Sequence, residues 1–336
     1  MYMKKRNYAT RIGLLLVLLC LCAGGGLFGC AADKTDKTAA NDGKYRVFCT
    51  AFPVYDWLKN VTAEVENIEL VLLDTHGADL HSYQPAVADM TALADSDLVV
   101  YIGGESDKWA ADAVKNAGTD VKGVSLLALL GDKVKTEQTV EGMETEEHAH
   151  GSAEEETPET DEHVWLSVKN AAFFTEHLTE LLCEADASEA EFLREASNAY
   201  IDALTKLDKA YAEAVQSARL DVFVVCDRFP FRYLADDYAL AYYAAFPGCS
   251  AETDAGFDTV IFLANKIDEL HLTHVAVTES GTGAVAKAVL ENAAEKDVAV
   301  VTLDSLQAVS EEDIAHGKSY LSAMEENLAA LKALLS

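Results

Sequence analysis

The stretch ASEAEFLREASNAYIDALTKLDKAYAEAVQSA, Ala187 to Ala218, decides the fold. It contains neither glycine nor proline, is built from good helix formers, and repeats its apolar positions at the helical period. A helix of that length runs roughly 45–50 Å at about 1.5 Å per residue, longer than one domain needs. It therefore predicts a helix that packs across two lobes or joins them. On both sides the chain alternates short apolar runs with amphipathic ones. Before it, YRVFCTAF, NIELVLL, DLVVYIG and VKGVSLL read as strands; VYDWLKNVT, PAVADMTALADS, DKWAADAVKNA and SVKNAAFFTEHLTELLCEA read as helices. After it, LDVFVVCD, LAYYAAF, HVAVTES and VAVVTLD read as strands; FRYLADDY, FDTVIFLANKIDEL, AVAKAVLENAAEK and EEDIAHGKSYLSAMEENLAALKALL read as helices. This alternation predicts an α/β protein with mostly parallel sheets, arranged as two similar lobes around one long helix.

The N-terminus is of a different kind. MYMKKRNYATR carries four basic residues and no acid, and an apolar run from Ile12 to Ala23 follows before three glycines. That order is the order of a secretory signal peptide, and the run is short for a membrane span. Leu27-Phe28-Gly29-Cys30 resembles a bacterial lipobox, which makes residues 1–29 a lipoprotein signal peptide and Cys30 the lipid-modified first residue of the mature chain. Residues 30–43 are polar and suit a tether. The remaining segments are expected as an N-terminal lobe over 44–186, a linking helix over 187–218 and a C-terminal lobe over 219–336. The formal charge moves from −31 to −35 when Lys4, Lys5, Arg6 and Arg11 leave with the signal. So acidic a chain argues against nucleic acid as a partner and weakly attracts cations. Much of the charge lies in one tract, 137–162, with 11 acids between Glu137 and Glu162 and with His148 and His150 among them. After removal of the signal and lipidation of Cys30, Cys49, Cys183, Cys226 and Cys249 remain; their spacing fits neither a zinc ribbon nor a CxxC motif, and a Cys226–Cys249 disulfide is open.

Four positions carry metal-binding chemistry. His81 follows the strand NIELVLL and precedes Pro85, and His163 stands where the acidic tract meets the apolar HVWL. Cys226, with Asp227 beside it, ends the strand LDVFVV, and Asp304 ends VAVVTL. Open α/β sheets bind ligands at such strand C-termini. Imidazole and thiolate suit zinc, and carboxylates widen the choice. Each residue also has an ordinary role: a cap, a surface histidine, a buried thiol.

The successive segments GADLHSYQPAVADM, DEHVWLSVKNA, CDRFPFRYLADDYAL and VVTLDSL resemble the signatures of the zinc/manganese solute-binding lipoproteins of ABC importers. The resemblance covers essentially the whole mature chain. It implies two (βα)4-like lobes joined by one long rigid helix, with a metal in the cleft between them. Carried over by position, the ligands are His81, His163, Cys226 and Asp304. The third position is histidine or glutamate in the family, so Cys226 is a departure, and Asp227 stands behind it. The acidic tract resembles the family's metal-gathering loop, with His148 and His150 as weak ligands. The function implied is capture of Zn²⁺, alternatively Mn²⁺ or Fe²⁺, by a lipid-anchored monomer outside the cytoplasm, and delivery to an ABC transporter permease. An adhesin role is the other activity the resemblance permits. A metal-dependent hydrolase would need an open coordination position and a general base, for which Glu279 is the residue to nominate. The outline Gly281-x-Gly283-x-x-Ala286 is a poor dinucleotide fingerprint, because Thr278, Glu279 and Ser280 separate it from its strand.

Overall fold

The computed structural model describes residues 43–118, 120–144, 159–250 and 254–336. The signal segment, Cys30, His148 and His150 lie outside the described residues. The N-terminal lobe runs β1 (Tyr45–Cys49), α1 (Phe52–Thr62), β2 (Ile68–Leu72), α2 (Val87–Ala94), β3 (Leu98–Tyr101), α3 (Lys108–Ala117), β4 (Lys122–Ser125) and α4 (Leu126–Leu130). Two helices follow, α5 (Val168–Ala185) and α6 (Ala190–Gln216). The C-terminal lobe repeats the pattern: β5 (Val222–Phe229), α7 (Arg232–Asp237), β6 (Ala241–Pro247), α8 (Phe257–Leu270), β7 (His274–Thr278), α9 (Ala284–Asn292), β8 (Ala299–Leu303), α10 (Glu311–Ala315) and α11 (Tyr320–Leu334). Each lobe is built on a parallel four-stranded sheet, ordered β2-β1-β3-β4 and β6-β5-β7-β8. In both, the first strand lies inside and the chain leaves it in opposite directions. That reversal opens a crevice beyond the strands' C-terminal ends.

Helix α6 buries Leu193, Ser197, Tyr200, Leu204, Leu207 and Tyr211, one seam at alternating steps of four and three. The seam packs on α1 and α5 of the first lobe and α11 of the second. The Tyr211 hydroxyl donates to the Met324 carbonyl at 2.6 Å, which fixes the helix to the second lobe. The helix is shorter at its start than the 187–218 stretch, because the Asp186 carboxylate takes the Ser188 N–H and turns the chain before helix begins. The largest core cluster draws on both lobes, from Val47 and Trp57 to Phe223 and Leu331. Its seam is visible at Tyr320: the ring meets Trp57 edge-on, the hydroxyl donates to the Trp165 carbonyl at 2.7 Å, and the backbone N–H donates to Asp56 at 2.9 Å.

The C-terminal run, expected as one helix over 311–335, is two. Gly317 takes a φ of +96°, which a side-chain-bearing residue adopts only with strain, and ends the first piece. Ser310 and Ser319 then cap α10 and α11 separately, accepting from Asp313 N and Ser322 N. The break presents Lys318 to Asp304.

Candidate metal centre

His81 is carried by a short 3₁₀ turn, Leu80–Ser82, in the connection after β2. His163 immediately precedes a second 3₁₀ turn, Val164–Leu166, whose three side chains are buried. Each histidine has an aspartate two residues before it. Asp79 Oδ1 accepts the His81 backbone N–H and Asp161 Oδ1 accepts that of His163, both at 2.9 Å, so the same local turn aims both rings. The two Nε2 atoms, both from the N-terminal lobe, lie 3.1 Å apart. Behind them the Nδ1 atoms are occupied: His163 Nδ1 faces Asp161 Oδ1 at 2.9 Å, and His81 Nδ1 faces Ser106 Oγ at 3.1 Å. Ser106 Oγ is in turn bonded to the buried Glu162 carboxylate, which also takes the backbone N–H groups of Glu105 and Ser106. A hydroxyl that donates to Glu162 can only accept from His81. Both Nδ1 atoms therefore carry a proton, and in the neutral rings the two Nε2 lone pairs point at one another.

Two such lone pairs repel at that distance, and either a proton on one Nε2 or a cation between them relieves it. The surrounding charges supply the field for one. Glu137, Asp161 and Glu162 all act on His163. Its complete burial works against charge, but Asp161 leads these carboxylates in outweighing it, and the pKa is raised. His81 goes the other way: burial, then the neighbouring His163, hold its pKa down at about 4, with Asp79 opposing. The surroundings thus disfavour charge on one imidazole and favour it on the other, and His81 faces a cleft of about 1310 Å³ lined by residues of both lobes.

The structure brings His81 and His163 together with Cys249, whose sulfur and the ring nitrogens all lie within 4.8 Å of one another. Cys226 and Asp304 lie outside this group. Cys226 is buried with Val224, Ala245, Val260 and Leu263, on the face of β5 opposite the one that carries Phe223 and Val225. Burial, with Asp227 second, pushes its thiol pKa up to about 12. Asp227 is engaged by the Thr278 hydroxyl at 2.9 Å, which holds β7 to the end of β5. Asp304 accepts the Leu306 N–H at 2.8 Å and pairs with Lys318 at 2.5 Å. The carbonyl of the next residue, Ser305, accepts from the Trp165 indole at 2.8 Å. Glu279 is bonded to Ser305 Oγ and N. Cys49, Cys183, Cys226 and Cys249 are all free thiols.

Several participants are absent from the sequence-based set: Cys249, Ser106, Asp161, Glu162 and Glu137. The repeated Asp-x-His of Asp79–His81 and Asp161–His163 is the signal that could have found the aspartates. Both ends of the acidic tract also belong to the fold. Thr136 bridges Thr160, Glu137 N donates to the Glu159 carbonyl at 2.8 Å, and Met143 enters the core.

Fold and site together define a class: a two-lobed α/β binding protein with a candidate metal centre where the lobes meet. The family profile described as ZnuA, zinc-uptake complex component A periplasmic, matches residues 47–334, and the chain belongs to that family. A zinc-binding lipoprotein AdcA of Streptococcus pneumoniae is 31% identical over 325 residues, covering 96% of this chain and 60% of that protein. The chain thus spans about three-fifths of the length of the curated relatives it matches first. The high-affinity zinc uptake system protein ZnuA of Bacillus subtilis is 26% identical over 330 residues, 98% of this chain and 97% of its own. Among solved structures, the Zn(II)-bound ZnuA-like domain of S. pneumoniae AdcA superposes with a TM-score of 0.67 at 27% identity, over 87% of this chain and 99% of that one. The metal-dependent lipoprotein YcdH of B. subtilis gives 0.70 at 24%, over 87% and 100%, and shows the same fold.

Proposed function

We propose that this chain captures Zn²⁺ outside the cytoplasm and delivers it to a membrane ABC permease, tethered as a monomer through lipid on Cys30 and the polar segment 30–43. The observation that carries this is the facing Nε2 pair at 3.1 Å, each ring backed at Nδ1 by a carboxylate, directly or through Ser106. Two Zn–N bonds of about 2.05 Å at a tetrahedral angle set their nitrogens about 3.3 Å apart. His81 and His163 are then ligands that need almost no rearrangement, and Asp161 and the Glu162–Ser106 pair orient them. The zinc named in the family description and in the relatives supports the choice of cargo. Imidazole donors support it over Mn²⁺, which favours oxygen. Asp304 joins the sphere only if Lys318 releases it. His148 and His150, in the acidic tract, collect cations weakly and pass them inward. The role is binding and transfer, with no bond made or broken in a substrate.

Native mass spectrometry of protein purified without chelator tests this. One zinc per chain is the expected result. Manganese or iron in its place overturns the cargo, and failure to take up added zinc in titration calorimetry overturns the function.

A further inference from the structure

We propose that Cys249 is the thiolate ligand of this centre, completing an N₂S donor set with His81 and His163 and making it selective for zinc. This rests on the zinc reading above and deepens it. Position in the chain points to Cys226, but Cys226 is packed against Val224 and Ala245 and is kept from the histidines by the alternation of β5. Cys249 stands instead at the C-terminal end of the neighbouring strand, β6, and lines the cleft with His81 and Glu162.

Two features hold the sulfur there. The first is Gly248. A Cβ at that position would lie 3.0 Å from His163 Cε1 and 2.9 Å from the Phe229 carbonyl, so only glycine lets the loop run flush over the imidazole. The second is Glu137, from the other lobe, whose carboxylate accepts the Cys249 backbone N–H at 2.6 Å. The sulfur and one nitrogen of each histidine ring lie within 4.8 Å of one another, close enough for one ion to reach all three. On zinc binding the S–Zn bond forms as the S–H bond breaks, and one proton leaves to solvent. A soft sulfur donor beside two imidazoles ranks zinc far above manganese.

The chain is stripped of metal under reducing conditions, and cobalt(II) is titrated into wild type, Cys249→Ser and Cys226→Ser. Wild type and Cys226→Ser are expected to show a near-ultraviolet sulfur-to-cobalt charge-transfer band, and Cys249→Ser to lack it while keeping its far-ultraviolet circular dichroism. Zinc affinity of Cys249→Ser is expected to fall by more than the roughly 10–100-fold that outer-shell changes cost, with manganese affinity nearly unchanged. A band that survives in Cys249→Ser, or disappears in Cys226→Ser, overturns the assignment. Wild type that binds zinc tightly and gives no band overturns the assignment alone; wild type that binds no zinc overturns the function with it.

Discussion

Asp161 makes two bonds with one oxygen. Its Oδ1 takes the His163 backbone N–H and sits opposite His163 Nδ1, both at 2.9 Å, in a site where the histidine is fully buried. It sets the tautomer and the ring angle together. Asp161→Asn keeps an oxygen for one of these bonds and removes the negative charge, so zinc affinity is expected to fall about 10–100-fold with the fold intact. Competition with a chromophoric chelator measures this, and wild-type affinity in the variant would mean Asp161 only shapes the turn. At this scale the sequence was uneven. His81 and His163 stand at loop-to-helix seams, but it is the resemblance of the segments around them to the family's signatures that selects them. Cys226 and Cys249 could not be sorted. Val222 to Cys226 is apolar throughout and buried on both faces, so no polar alternation marks the side that faces the cleft. Placing Cys249 further requires knowing that β6 lies beside β5.

Among the elements, the acidic tract has the clearest division of labour. Its described ends are structural. Glu137 bonds Cys249, Glu144 accepts the Gly256 N–H at 2.8 Å, and Asp161 positions His163. Replacing only 145–158 by a short Gly-Ser linker is expected to retain the tight zinc site and remove weak additional equivalents in a calorimetric titration. Removing 137–161 is expected to abolish the tight site, because Glu137 and Asp161, which bond Cys249 and His163, go with it. Loss of the tight site in the shorter deletion would place a primary ligand inside 145–158. Charge density marks the tract in the sequence, but its boundaries depend on pairings such as Thr136 with Thr160 that composition does not encode. Strands and helices were readable because apolar runs and amphipathic runs alternate cleanly. The break at Gly317 was hidden because both flanking segments keep helical composition.

For the whole molecule, the question is whether two lobes behave as one body. Arg228 of the second lobe pairs with Asp79 of the first, both side chains mostly buried. Burial raises the Asp79 pKa, but the Arg228 charge and hydrogen bond outweigh it, and the net shift is downward. A carboxylate held below its unfolded value of about 3.9 contributes stability in full above that pH and loses it as pH falls through the folded value. Arg228→Met is therefore expected to flatten the acid limb of a stability–pH curve measured by urea unfolding. An unchanged acid limb would mean that the pair contributes nothing. The shared core makes a stronger claim. Tyr320 touches Trp57 and Asp56 of the first lobe and Trp165 of the turn that carries His163. Tyr320→Phe removes a buried donor and leaves the Trp165 carbonyl without it, a cost of about 1–3 kcal/mol. If each lobe unfolded alone, that loss would move one transition and leave another behind. Because helix α6 and the core cluster run through both, the expected scan is one heat-capacity peak, shifted down as a unit by a few degrees. Saturating zinc should raise that same peak in both proteins, since ligand bound at the lobe boundary stabilises only the joined state. Two resolved peaks in the zinc-free wild type, with only one responsive to the substitution, would show that the lobes fold separately and that the centre is assembled by the metal.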